Sequence, residues 1–248
     1  MPWFQSKPKY LALNEYWVYH PKPEQLTQEK LLDWLLKENP YAPISGQEGL
    51  MFSDVRFHMA LVLRKRNPHV FRPDVLIESA NIESEMLAEL ADCEAMTLLR
   101  YNSEEPLKSR AHLRLLAFAV KGVASLQNGR LATDRTAARV FWVETLHQEL
   151  LRDRSGEDIA MHLSVTWQNG HASTHGLAKI GLPEIVSHHA PEDRRVIVSA
   201  VIEEAARKMW QEATIPEALD LTIYDDPYRV TFAYEKKQLR ARVARCLP

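Results

Sequence analysis

The sequence predicts an α+β fold, with mixed or antiparallel sheets and helices packed on them. Three observations carry this expectation. Residues 55–64 and 159–167 alternate apolar and polar side chains, the two-residue period of a strand with one wet face. Residues 106–126 and 191–210 instead place apolar side chains at helical spacing. Strands enter both as hairpins and singly between helices, without the strict alternation of a doubly wound fold.

Taken in order, residues 10–19 are mostly apolar and aromatic and stop at His20-Pro21-Lys22-Pro23, which predicts a first strand. A helix is expected from the capping residue Thr27 through Leu31, Leu32, Trp34, Leu35 and Leu36 to Asn39-Pro40. Residues 40–53, with two prolines and two glycines, read as a loop. Beyond it the strand at 55–64 is followed by the turn Asn67-Pro68 and a hairpin partner at 71–79. Ile82, Met86, Leu87 and Leu90 mark a helix, and 95–101 a short buried strand.

The strongest helix is expected at 106–126, with Pro106 in its first turn and Asn128-Gly129 as its stop. A second long helix is expected from Thr136 to about Arg152. The strand at 159–167 leads to the hairpin turn Asn169-Gly170 and a partner strand at 171–180. Pro191-Glu192-Asp193 opens a helix that continues to Trp210, the two acids lying where the helix dipole favours them. Strands at 219–224 and 228–234 flank the turn Asp225-Asp226-Pro227, and the basic tail 236–248 reads as a solvated end. Residues 1–50 are thus expected as a strand-helix extension and 51–248 as an α+β core, with two similar lobes dividing near 155.

Composition narrows function by exclusion. A formal charge of −2 on 248 residues gives no global field to hold nucleic acid or an anionic membrane. No apolar run approaches the roughly 18 residues that span a bilayer, and the start lacks the pattern of a signal peptide, so cytoplasmic residence is the expectation. Cys93 and Cys246 are too few and too distant for a disulfide framework, and the acidic neighbours of Cys93 predict an inert thiol. The chain has eight glycines and neither a phosphate-binding Gly-rich loop nor a Gly-x-Ser-x-Gly elbow. Arg64-Lys65-Arg66 reads as a solvated strand end and His112 as an interior histidine.

The densest group of chemically capable side chains lies at 166–192 and includes His171, Ser173, Thr174, His175, Glu184, His188 and His189. His171 and His175 are four apart, which keeps them on one face of a strand or of a helix. His171, His175 and Glu184 or His188 could supply three ligands to zinc, although no spaced metal motif is present.

The helix beginning Arg110-Ala111-His112-Leu113, the segment Val140-Phe141-Trp142, and Thr174-His175-Gly176-Leu177 followed by Gly181-Leu182-Pro183-Glu184 resemble a bacterial domain family of unknown function over residues 54–210. The resemblance implies an α+β intracellular protein and brings no reaction or catalytic residue with it. Two functional expectations follow. One is a non-enzymatic module that binds a specific protein, such as an immunity or accessory protein, because six Trp and eight Tyr supply side chains favoured at binding hot spots and no catalytic set is recognisable. The other is a metal-assisted hydrolase with His171, His175 and Glu184 as ligands and His188 as acid or base.

Overall fold

The computed structural model describes residues 11–38, 56–74, 82–153 and 155–246. It has an α+β architecture with two sheets. The expected loop at 40–53 and most of the expected strand at 71–79 lie outside the described residues.

The first sheet has five strands in the order β2-β3-β1-β4-β5: β1 Ala12–His20, β2 Phe57–Leu63, β3 Ala95–Ser103, β4 Leu131–Asp134 and β5 Arg139–Trp142. Every pairing in it is antiparallel. The N-terminal strand, read from sequence as part of an extension, occupies the centre of this sheet. Helix α1 (Gln28–Asp33) starts where Thr27 accepts a hydrogen bond from the Lys30 amide, and it continues as a π-helical turn to Glu38. Helix α2 (Ser84–Asp92) precedes β3, and helix α3 (Ala111–Gln127) lies against the sheet.

Helix α3 sits between the sheet and α1, so it is apolar almost all round: Leu113, Leu115, Leu116, Phe118, Val120 and Val123 are each at most 1 % exposed. Burying side chains of this size contributes roughly 1.5–3 kcal/mol each. The helix stops as its sequence dictates, with Asn128 in the left-handed conformation at the cap. Gly129 follows because a Cβ there would meet the Tyr19 carbonyl oxygen at 2.6 Å. Its start differs from expectation, at Ala111 rather than Pro106. Ser103 folds back on Glu105 through reciprocal bonds, and residues 104–110 run as bends and irregular backbone.

The second sheet runs β6-β7-β8-β11-β10-β9: β6 Ser164–Gln168, β7 His171–His175, β8 Ile185–Ser187, β9 Ala218–Ile223, β10 Asp226–Glu235 and β11 Gln238–Arg245. Only β8 and β11 pair in parallel among the described strands. Helix α6 (Arg195–Glu212) packs on one face of this sheet through Val198, Val201, Ile202, Ala205, Met209 and Trp210.

Three expectations about elements are corrected. Residues 139–142 are not helical: the Asp134 carboxylate accepts the Thr136 and Ala137 amides, and Ala138 takes φ +49°, which closes a β4–β5 hairpin before helix α4 (Val143–Arg152) begins. Residues 159–162 form a short helix, α5, because Asp158 caps it through the Ala160 amide, so the strand begins only at Ser164. The basic tail is not a frayed end. Lys236 and Lys237 both adopt positive φ, turning the chain so that β11 is clamped between β10 and β8. Strand β2 pairs with β3, and Pro68–Phe71 after it forms a 3-10 turn. Among the described residues no helix is long and apolar enough to cross a membrane.

Candidate functional site

The histidine-rich segment folds into separate local structures. Strand β7 holds His171 and His175 on one face, yet each has its own partner: His171 Nδ1 lies 2.9 Å from the Ser187 carbonyl oxygen and His175 Nε2 2.8 Å from Thr166 Oγ1. Glu184 accepts from Thr174 Oγ1 (2.7 Å), the Gly176 amide (2.8 Å) and the Ala178 amide (3.0 Å). It therefore braces the turn that its own motif encodes. His188 faces Glu235 at 3.5 Å, and His189 meets the His171 ring edge-on at 5.7 Å. Among the described residues no three His, Cys, Asp or Glu side chains are grouped so as to hold a metal ion. Burial lowers the pKa of His175, with Glu184 opposing.

The turn braced by Glu184 has a larger consequence. It carries the 3-10 helix Leu177–Ile180, whose Lys179 is fully buried where the two sheets meet. Lys179 Nζ donates to Asp134 of β4, to Tyr16 Oη of β1 (3.2 Å) and to His162 Nδ1 of α5 (3.2 Å). An ammonium has three protons, and all three are used. His162 Nε2 donates to the Gly156 carbonyl oxygen at 2.7 Å, which leaves Nδ1 free to accept, and its ring stacks on Trp210 at 5.7 Å. His112, 1 % exposed, donates from Nε2 to the Lys179 carbonyl oxygen at 2.9 Å and stacks on Tyr101 at 5.0 Å.

Burial sets the electrostatics of this group. It depresses the Lys179 ammonium, with Asp134 working against the shift. Burial, then the Asp134 charge, hold the Tyr16 phenol well above its usual value. His162 is pushed well below 6.5 by burial and then by the Lys179 charge, and His112 is lowered to about 4 by burial. Arg139 reinforces the junction by donating to the Ala160 (2.9 Å) and Met161 (2.6 Å) carbonyl oxygens. Gly176 permits the approach: it has φ +120°, and a Cβ would meet the His162 carbonyl oxygen at 1.9 Å. The cluster is a sealed joint between sheets rather than an open reaction site.

Two adjoining clefts that face solvent lie on the first sheet's side. The β4–β5 hairpin places Arg130, just before β4, across from Trp142, at the end of β5, because Leu131 pairs with Trp142 in register. The Arg130 guanidinium lies 5.5 Å from the Trp142 ring centroid and bonds Glu89 at 3.3 Å. Trp142 Nε1–H donates to Glu83 Oε2 at 3.1 Å. These two side chains form a ridge shared by two wide-mouthed clefts, of about 470 and 420 Å³.

Chemistry differs on the two sides of the ridge. The larger cleft is lined by Lys121, Ala124, Ser125, Val143 and Glu144. Burial lowers Lys121 to about 8, with Glu144 opposing, and its amine contacts His147 on α4. The smaller cleft is acidic, with Glu83, Glu85, Glu89 and Asp92 on its wall. Glu85, Glu89 and Asp92 recur at helical spacing along α2, on the face that flanks the buried Met86 and Leu90 that fix the helix to the core.

Other singled-out residues prove structural. Arg64 closes the C-terminal end of α2 by donating to the Leu90 carbonyl oxygen and, at 2.6 Å, to that of Cys93. Cys93 is 1 % exposed, and its thiol is pushed up to about 12 by burial. Sequence reasoning missed Arg130 and Trp142, and also Lys179, Asp134 and Tyr16. The alternation of Val140 and Trp142 around the buried Phe141 was the available signal for a strand end.

No protein-family model, curated protein or solved structure matches this chain.

Proposed function

We propose that this chain is a non-enzymatic protein-binding module of the accessory or immunity type, and that it grips a basic segment of its partner across the Arg130–Trp142 ridge. The observation that carries the reading is the ridge itself. A Trp and an Arg, the residue types most enriched at interface hot spots, stand stacked between two adjoining clefts. Charge complementarity supplies the partner's chemistry. Among the described residues four carboxylates line the smaller cleft and Arg130 is the one basic side chain lining it, so a Lys- or Arg-rich segment gains there and an acidic one is repelled. The densest titratable cluster, around Lys179, is sealed, and the Lys179 ammonium uses all three of its protons within it, which speaks for architecture rather than turnover.

The test is capture of tagged protein from its own cells beside a Trp142→Ala, Glu85→Lys, Glu89→Lys variant, followed by rebuilding the complex from the purified partner. A single partner at equal stoichiometry, lost by the variant and presenting a basic segment at the contact, supports the reading. Equal retention by both proteins, or none by either, overturns it.

A further inference from the structure

A third cleft, on the other sheet, has different chemistry. It lies where β8 ends and α6 begins, beside β11, and measures about 270 Å³. It is more enclosed than the two clefts at the ridge. The parallel pairing of β8 with β11 creates it: the chain leaves β8 at Ser187, crosses through His188–Pro191, and enters the helix over the face of β11. The crossing is pinned, because the His188 amide donates to Ala241 (2.8 Å) and the Ala190 amide to Gly170 (2.8 Å). Such a cleft is preformed and costs little ordering on binding.

Among the described residues three arginines and two histidines line it, and no acidic side chain does. Two of the five are offset from outside: Arg245 pairs with Asp226, and His188 faces Glu235. Arg242 alternates with the buried Ala241 and so emerges on the sheet's opposite face. Arg194 and His189 remain; the His189 ring sits edge-on to His171, and Arg194 has no side-chain partner among the described residues. The start of α6 adds positive potential on the same side, although Glu192 and Asp193 in the preceding turn offset it.

Tyr228 is the feature that points to a ligand. It is 6 % exposed and packed in the second core, yet its hydroxyl bonds to no described residue. The ring is buried while the hydroxyl is not among the fully buried polar atoms, so it opens to the cleft rather than into the core. The side chain lines the cleft, opposite walls of Ile197, Val198 and Val243. One unopposed guanidinium and one unused phenol hydroxyl, over an apolar floor, match a monoanion with an apolar body. The volume falls just below the roughly 300 Å³ at which drug-sized ligands begin.

We infer that this cleft binds a small organic carboxylate, its carboxylate held by Arg194 and Tyr228 and its hydrocarbon part by Ile197, Val198 and Val243. A guanidinium offers a carboxylate two parallel N–H bonds, and the phenol supplies a third donor. The site is independent of the Arg130–Trp142 surface and stands or falls without it.

Isothermal titration of the full chain with benzoate, isovalerate and inorganic phosphate, at low chloride, reads this directly. Saturable binding of benzoate or isovalerate at one site per chain is expected, with phosphate at least about tenfold weaker. Arg194→Gln should weaken the carboxylate about tenfold, the usual worth of a charge-assisted hydrogen bond, and Tyr228→Phe about threefold to tenfold. Arg194 is at the surface, so its variant folds whatever becomes of Tyr228→Phe. No saturable heat with either carboxylate, phosphate binding as tightly as benzoate, or affinity unchanged by Arg194→Gln overturns the assignment.

Discussion

Replacing Lys179 with methionine removes one member of a fully buried ion pair while nearly preserving volume, and its cost can be worked from the contacts. Lys179 and Asp134 side chains are 0 % and 1 % exposed, so neither can turn to water when the other is lost. Breaking such a pair costs about 3–5 kcal/mol, chiefly because a charge is left buried alone. Asp134 keeps two donors, the Thr136 amide at 3.1 Å and the Ala137 amide at 2.9 Å, which places Lys179→Met near the lower end, at about 3 kcal/mol. With a denaturant slope of about 3 kcal/mol/M, the urea midpoint should fall by about 1 M. Tryptophan fluorescence is a suitable probe, since Trp210 stacks on His162 within the same joint. Adding Asp134→Asn keeps the turn's acceptor and removes the stranded charge, so the double variant should recover at least about 1 kcal/mol. A midpoint shift below about 0.3 M, or a double variant no more stable than the single one, would refute the argument.

Acid should weaken the fold. Burial lowers His112 to about 4, so between 6.5 and 4 the unfolded chain binds more protons than the folded one, and stability falls as pH drops. At pH 5 His112 alone accounts for about 2 kcal/mol, with His162 acting in the same direction; equal urea midpoints at pH 7.5 and pH 5 would contradict this. Gly176→Ala forces a Cβ into the His162 carbonyl oxygen at a φ that favours glycine, and should cost at least about 3 kcal/mol by thermal melting; a loss under about 1 kcal/mol would mean the turn can move aside. Asn14 is fully buried with neither amide atom bonded among the described residues, so Asn14→Leu should be neutral or gain up to about 1 kcal/mol, and a loss above about 2 kcal/mol would reveal a hidden partner.

Long periodic stretches were legible in the sequence. The apolar spacing of residues 113–123, the Asn128-Gly129 stop and the Asn169-Gly170 turn all predict what the chain does, because each is settled by local geometry. Short strands were not. Strand β5 has four residues, and its hairpin depends on an Asp134 side chain capping its own turn, so Val140-Phe141-Trp142 reads equally well as helix until the pairing with β4 is known. Strand β11 hides behind five basic residues, although Leu239, Ala241 and Val243 alternate with them.

The candidate sites were legible only as composition. Linear spacing gathers His171, His175, Glu184 and His188, while the fold gives each a different bond to make. Lys179 carries no signature, because its acceptors come from β1, β4 and α5, far away in sequence. The Arg130–Trp142 ridge likewise exists only once two strands pair.

Among all of these, the affinity of the rebuilt complex with its captured partner probes the central proposal most directly. Trp142→Ala should raise the dissociation constant about 30-fold or more, equivalent to a hot-spot loss of about 2 kcal/mol, with the native circular dichroism spectrum retained. A partner that binds Trp142→Ala and wild-type protein equally well would contradict the proposal that the ridge is the binding surface.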